Sequence, residues 1–465
     1  MTPDMVFSGF TFLLLFLPAS VLCTLAVPGI RGKNAVLCLF SLVFYAWGEP
    51  VYVLLMLGSI LVNYLIGLGM ARFPARKKAL LILAVAVNLA AIGWFKYADF
   101  LIDSINGIFS AGLPLAEVAL PIGISFYTFQ ILSYVIDVYR GTSEPQRNLL
   151  SLATYISMFP QLIAGPIVRY ETVREQLKER RMTGDAFAEG LARFAVGLGK
   201  KVLLANQMAL VADAVFGGGD APGGVIWLGA VCYALQIYFD FSGYSDMAVG
   251  MGKMFGFTFP ENFNEPYLAD SITDFWRRWH ISLSTWFREY VYIPLGGNRK
   301  GPARQVLNLL TVWMLTGLWH GASWNFVLWG LYYGILLIAE KLFPVHRRLP
   351  AWLRHVMTLL LVLIGWVIFR VENLPLLGRT LGTMFSFGTG GAGAWLLANA
   401  DTLRALAVLP VALLACLPIR RILQARLGGK AWFPAASRVW CFLIWLVSLA
   451  MLLGESYNPF IYFRF

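Results

Sequence analysis

The sequence predicts an all-α fold, a polytopic transmembrane helical protein, from its composition, its repeated apolar runs and the placement of its basic residues. Hydrophobic residues make up 58% of the 465 and charged residues only 13%, against about 25% charged in soluble domains. Mean hydropathy is +0.68. Crossing the hydrocarbon layer takes about 20 apolar residues. Candidate runs lie near 7–28, 34–47, 51–71, 79–97, 120–139, 187–214, 226–250, 305–319, 323–341, 355–371, 403–418 and 437–453. That gives about a dozen crossings. No linker, low-complexity tract or clear repeat divides them, so 1–465 reads as a single integral membrane domain.

The first run lacks a basic n-region and exceeds the about 7–15 residues of a signal-peptide core, so it reads as a span. Arg31 and Lys33 follow it, Arg72, Arg76, Lys77 and Lys78 follow the third run, and Arg140 and Arg147 follow the fifth. These alternate connections define the cytoplasmic side and put the N-terminus outside. The apolar stretch 150–168 has basic flanks at both ends, Arg147 before it and RYETVREQLKERR after it. It is therefore expected to re-enter, with Pro160, Gly165 and Pro166 breaking its backbone where protein packs around it.

Residues 252–304 form the longest polar-rich connection and carry Arg277, Arg278, Arg288, Arg299, Lys300 and Arg304, which marks them cytoplasmic. Their Trp276, Trp279, Trp286, Phe275, Phe287, Tyr290 and Tyr292 suggest short amphipathic helices with rings at the headgroup level. The run 305–319 then leads outward to Trp319-His320-Gly321, and 323–341 returns to Lys341, His346, Arg347 and Arg348. Continuing the count through Arg420, Arg421 and Arg426 places the aromatic segment 455–465 outside. The net charge of +12 follows from this topology and from contact with anionic membrane lipids, and does not call for a nucleic-acid partner.

Five cysteines sit in apolar stretches without CxxC spacing or nearby ligand pairs, so neither a disulfide nor a metal site is expected. There is also no Gly-rich phosphate loop, GxSxG elbow or HExxH pair, which leaves a soluble-type hydrolase or ATPase without support. Of the four histidines, His346 and His355 lie in or beside a basic loop. His280, in FWRRWHISLSTWFREY, and His320, in TGLWHGASWNFVLWG, are embedded in dense aromatic context. An ionisable group at membrane depth is costly and therefore a functional candidate. His320 reads as a general base that takes a hydroxyl proton while that oxygen attacks an acyl carbon, or as a neutral imidazole hydrogen-bonded to a neighbouring helix. Gly317 and Gly321 would let substrate or backbone come close. His280 either organises the aromatic cluster or helps to hold a donor. Arg277 and Arg278, with Trp276 and Trp279, suit a phosphorylated carrier such as coenzyme A, or simply mark a positive-inside loop.

Asp240 and Asp246 lie in LQIYFDFSGYSDMAVGMG, an otherwise apolar span, and need partners there. Pairing with arginines of the 270s segment as a structural lock is the favoured reading; proton sites of a transporter are the other.

The segments PENFNEPYLADSITDFWRRWHISLSTWFREYVYIPLGGNRKG at 260–301 and TGLWHGASWNFVLWG at 316–330 together resemble the membrane-bound O-acyltransferase family. LPIGISFYTFQILSYVIDVYRG, FPQLIAGPIVRY and YFDFSGYSDMA extend the resemblance over nearly the full length, toward the bacterial polysaccharide-modifying and D-alanylating branch. It implies re-entrant and interfacial helices around a central tunnel, His320 as the essential intramembrane histidine, and His280 as the second polar position. It implies further an acetyl-CoA donor reaching the site from the cytosol, no bound cofactor, and a periplasmic SGNH-type acetyltransferase partner within a polysaccharide export complex of the bacterial inner membrane. The FIYFRF segment resembles the end of a small partner of the D-alanylating proteins, which makes Tyr462 a candidate acyl relay or an aromatic interface anchor. The expected activity is O-acetylation of an exported polysaccharide such as alginate. Its rivals are a flippase or exporter of an acylated lipid or donor, which breaks no bonds, and a scaffold that assembles an export complex.

Overall fold

The computed structural model describes residues 5–163, 165–218, 221–386, 390–454 and 460–461. Every regular element among them is a helix. Among the described residues, seven helices are long and apolar enough to cross a membrane: Tyr52–Arg72, Pro74–Phe109, Gly184–Gly218, Gly223–Met254, Trp324–Leu342, Ala351–Arg370 and Phe433–Leu452. The pair Ala392–Ala398 and Ala400–Ala415, bent by 98°, makes an eighth if it counts as one broken span. The other sequence-predicted runs are also helical: Gly29–Gly48, Ile124–Arg140 and Pro302–His320, with Thr11–Phe16 continuing into Leu17–Ala26. The first three carry buried polar residues (Asn34 and Ser41, Gln130 and Asp137, Gln305 and Asn308), so each presents a polar strip to protein and is less uniformly apolar.

The chain forms two compact units, Met1–Phe194 with Tyr244–Pro260, and Ala195–Gly243 with Glu261–Phe465. In the first, Phe7, Phe12, Phe16, Phe44 and Phe159 pack ring against ring. Side-chain amides join its helices where apolar contact alone gives little preference over lipid. Asn63 and Asn88 exchange amide hydrogen bonds at 2.8 and 3.3 Å. Arg180 donates to Asn34 Oδ1 at 2.6 Å and to the Phe255 carbonyl at 2.9 Å, with its guanidinium over the Phe257 ring. Burial lowers that guanidinium to about 10.

The stretch 150–168 is broken as expected. Asn148 caps helix Leu149–Ser157 by accepting from Leu150 and Ser151, and the helix stops at Met158 (ψ 109°). The short helix Phe159–Leu162 follows, no helix runs through 165–169, and helix Tyr170–Lys178 begins from the extended Arg169. Leu152, Phe159, Leu162 and Val168 are fully buried, so protein surrounds the broken backbone.

In the second unit, 252–304 does contain short helices, Ile272–Arg278 and Ile281–Phe287. The expectation for its rings is corrected, however. Trp276, Trp279, Trp286, Phe275, Phe287 and Tyr290 are all buried inside protein. The cause is a reversal at His280, whose φ of 46° and ψ of 52° lie in the left-handed region and fold the two helices against each other. Helices Pro302–His320 and Trp324–Leu342 pack as a hairpin through glycines: a Cβ on Gly330 would fall on the Trp313 carbonyl oxygen, and one on Gly317 on that of Phe326. Close backbone approach at small residues is the usual way membrane helices gain packing. Gly330→Ala is expected to destabilise by about 1–3 kcal/mol through overpacking. Gly334→Ala, whose Cβ meets Leu310 at an ordinary 3.4 Å, should be near neutral. Thermal unfolding of both variants in detergent checks the contrast.

Candidate active site

His320 ends helix Pro302–His320 and is 5% exposed. Rings crowd it, with centroids at 5.0 Å (Trp319), 5.1 Å (Trp329) and 5.3 Å (Phe369). His280 lies 6.5 Å away, centroid to centroid. The two histidines are 40 residues apart in the chain, and the reversal at His280 and the end of the 302–320 helix bring them together. Gly321 fits beneath the Phe326 ring and Gly317 against the Phe326 carbonyl, so both flanking glycines serve protein packing.

His280 is held by Asn262. The Asn262 Oδ1 accepts from the Ser282 backbone N–H at 3.2 Å and from the Ser282 hydroxyl at 2.8 Å. An amide nitrogen could not accept from that N–H, so the amide orientation is fixed. The same oxygen faces His280 Nδ1 at 3.2 Å. An acceptor there requires a proton on Nδ1, and the neutral imidazole then carries its lone pair on Nε2. Burial lowers the His280 imidazole to about 3, so it is neutral at physiological pH. Its local frame is completed by backbone bonds from Ile281 N–H to the Asn262 carbonyl and from Asn264 N–H to the Arg278 carbonyl. Phe241 packs edge-on at 4.6 Å.

Helix Ile272–Arg278 is a wall shared by two features. Its Trp276 faces the cage, meeting Trp313, Trp329 and Tyr333 at 4.7–5.4 Å. Thr273, Asp274 and Arg277 line a charged cleft of about 580 Å³ together with Asp270, Glu340, Lys341 and Arg354. Its acidic groups are engaged. Asp270 accepts from Arg354 at 2.6 Å and Asp274 from Arg278 at 2.8 Å. Glu340 accepts from the backbone N–H groups of Ile272 and Thr273, capping the helix. Arg277 and Lys341 have no carboxylate within ion-pair distance among the described residues. Of the four residues expected to hold a donor, Arg277 alone lines this cleft; Arg278 is paired with Asp274, while Trp276 and Trp279 belong to the buried cage.

The pairing expected for the two carboxylates with 270s arginines is corrected. Asp240 pairs with Lys201 at 2.6 Å, and Asp246 pairs with Arg193 at 2.8 Å. The chain supplies nearer cations on helix Gly184–Gly218, and the arginines of the 270s face the cleft or Asp274. Tyr462 lies outside the described residues. Sequence reasoning missed Asn262 and Asn325, although both stand in the segments that define the resemblance. Asn325 donates to the carbonyls of Ile368 and Phe369 at 3.4 and 3.0 Å. It thereby fixes the turn that carries Phe369 onto His320. Among the described residues no group of three or more His, Cys, Asp or Glu side chains could hold a metal ion.

Two buried imidazoles 6.5 Å apart at the joint of several helices, in a multi-pass membrane protein, make a candidate acid–base site. A family model for membrane-bound O-acyltransferases matches residues 143–374. The chain is 43% identical to the probable alginate O-acetylase of Pseudomonas putida, over 99% of this chain and 100% of that protein. It is 48% identical to the probable alginate O-acetylase of Pseudomonas aeruginosa, over 83% of this chain and 76% of the relative. It is 36% identical to the peptidoglycan O-acetyltransferase of Helicobacter pylori, over 80% and 78%. The chain belongs to the membrane-bound O-acyltransferase family. It is an O-acyltransferase, and the bond-free transporter reading is set aside.

The Asn262 assignment predicts a pH signature. Asn262→Asp keeps an acceptor for Ser282 and Nδ1 but places a negative charge beside the ring, which favours the imidazolium. His280 should then protonate at a higher pH than in the wild type, and the acid limb of kcat/KM should move upward by about one to two pH units. Asn262→Ala, which releases the tautomer, should lower kcat/KM by about 10–100-fold. Acyl-transfer rates measured in detergent down to about pH 3 check the first, and the rate at neutral pH checks the second.

Proposed function

We propose that this protein moves an acetyl group from cytosolic acetyl-CoA across the bacterial inner membrane for O-acetylation of an exported polysaccharide such as alginate. The observation that carries the reading is the His280–His320 pair in a closed aromatic cage, one short helix away from a cleft with two cations not engaged by carboxylates. The polyphosphate end of a CoA thioester suits Arg277 and Lys341, and its acyl end would pass the 272–278 helix toward the imidazoles. The activities by which the Pseudomonas and Helicobacter relatives are named support acetyl as the group transferred.

The chemistry asked of the pair is modest. An acceptor hydroxyl attacks the thioester carbonyl, the carbon–oxygen bond forms, and the carbon–sulfur bond breaks. The hydroxyl proton passes to an imidazole and on to the departing thiolate, so no net proton is gained. His320 is the proposed base. Its transient positive charge would develop at the C-terminal end of the 302–320 helix, where the carbonyl dipoles favour a cation. The neutral His280, with its lone pair on Nε2, can accept a hydrogen bond from substrate or from its neighbour. The first acceptor in this scheme is the Tyr462 hydroxyl, and a periplasmic SGNH-type acetyltransferase then places the acetyl on the polymer.

His320→Ala in proteoliposomes fed acetyl-CoA from one side should lose at least about 10³-fold in CoA release, with unchanged protein content. Retention of wild-type release would overturn the catalytic assignment. For the donor site, Arg277→Ala should raise KM for acetyl-CoA by about tenfold with little change in kcat, since the phosphate contact is made equally in ground and transition states. Peptide mass spectrometry after turnover should find acetyl on Tyr462, and a Tyr462→Phe variant with full activity would refute the relay.

A further inference from the structure

Lys201 and Asp240 form an ion pair whose side chains are 3% and 4% exposed. Replacing such a pair by apolar side chains is often neutral or stabilising, because two charges must be desolvated to make it. Packing therefore gives no reason for its presence. The carboxylate, however, has a second partner. Asp240 Oδ1 accepts from Lys201 Nζ at 2.6 Å, while Oδ2 accepts from the backbone N–H of Ile461 at 2.7 Å, 221 residues further along the chain. The Lys201 ammonium also lies 4.8 Å from the centre of the Phe460 ring. Phe460 and Ile461 are 1% and 6% exposed.

The local backbone is arranged for this. Lys201 sits in the π-helical turn Lys200–Ala205 within an otherwise α-helical stretch. Such turns insert an extra residue, shift the side chains around them, and are frequent at functional positions. Gly243, one turn beyond Asp240, has no room for a Cβ beside the Gly197 carbonyl oxygen, which would lie 2.7 Å away. The two helices therefore approach closely enough for the ammonium to reach the carboxylate. A charge-neutralised acid with one oxygen turned to a main-chain N–H is a receptor for backbone. It fixes the register of a segment whatever that segment's side chains are.

We propose that Lys201 and Asp240 are positioning residues that seat segment 460–461 inside the membrane body and so set where the neighbouring residue 462 is presented for acyl transfer. Its consequence for transfer rests on the relay reading above; the seating itself does not. The carboxylate supplies the acceptor, the ammonium pairs with it and adds a cation–π contact, and the Ile461 N–H is the ligand.

The test is hydrogen–deuterium exchange of the full chain in nanodiscs, read at the peptide containing Ile461. In the wild type this peptide is expected to be protected. In Lys201→Met/Asp240→Leu, which removes both charges together, it should exchange roughly tenfold or more faster, while peptides of helices Gly223–Met254 and Trp324–Leu342 keep their wild-type rates. If the double variant does not fold, Ile461→Pro removes the donated N–H and leaves both helices intact, with the same faster exchange expected. Slow exchange of the 461 peptide in the folded variants, or rapid exchange in the wild type, would overturn the seat. Loss of protection together with a large fall in Tyr462 acetylation supports seating and presentation alike. Loss of protection with unchanged overall polymer acetylation refutes the presentation role and leaves the seat standing. Full protection in a wild type that never carries acetyl on Tyr462 refutes the relay alone.

Discussion

The oxygen of the Asn262 side chain bonds Ser282 twice and faces His280, and the arrangement of the site follows from that contact. A non-glycine residue with φ of 46° is uncommon and persists where its surroundings determine it. Here two backbone bonds flank it, and the amide oxygen holds the ring. The reversal turns a polar connection into a folded wall, with Trp276 on one side and Thr273, Asp274 and Arg277 on the other. Without it, the aromatic residues of 272–290 would have no folded wall to pack into.

The cage then deals with a second constraint. An imidazole buried in apolar surroundings must stay neutral at rest and still accept a proton in the transition state. Burial accounts for the neutral resting state of His280, which is lowered to about 3. In the proposed mechanism helix Pro302–His320 would provide for the developing charge, because it ends at the histidine and directs its carbonyl dipoles toward it. Aromatic edges around His320 exclude water and leave few competing acceptors, a condition under which a thioester can be transferred to a hydroxyl rather than hydrolysed.

Much of this was legible in the sequence. Long apolar runs predicted membrane helices, and WHGASWNF at a helix end marked His320, since a costly histidine among tryptophans stands out without any knowledge of the fold. The broken segment at 150–168 was readable from Pro160, Gly165 and Pro166 within apolar flanks. The partners of Asp240 and Asp246 were not readable. Their cations, Lys201 and Arg193, lie on a helix whose hydropathy hides them, and which turn faces which carboxylate depends on the π-helical insertion at Lys200–Ala205. Nor could the sequence show that the tryptophans of 276–286 turn inward. Composition alone cannot distinguish an interfacial belt from a buried cage, and the left-handed turn that decides between them occurs at a histidine, with no glycine to signal it. Asn262 has no signature of its own until the loop that bears it pairs with 278–282.

In the proposed mechanism a thioester held by the 272–278 helix brings its carbonyl carbon to the two imidazoles. The most direct measurement is a cryo-EM structure with a non-hydrolysable acetyl-CoA analogue bound. Phosphate density is expected beside Arg277 and Lys341, and the carbonyl carbon within about 4 Å of an imidazole nitrogen of His320 or His280. An acyl end lying outside the cage, or phosphates bound away from the 272–278 cleft, would contradict that mechanism.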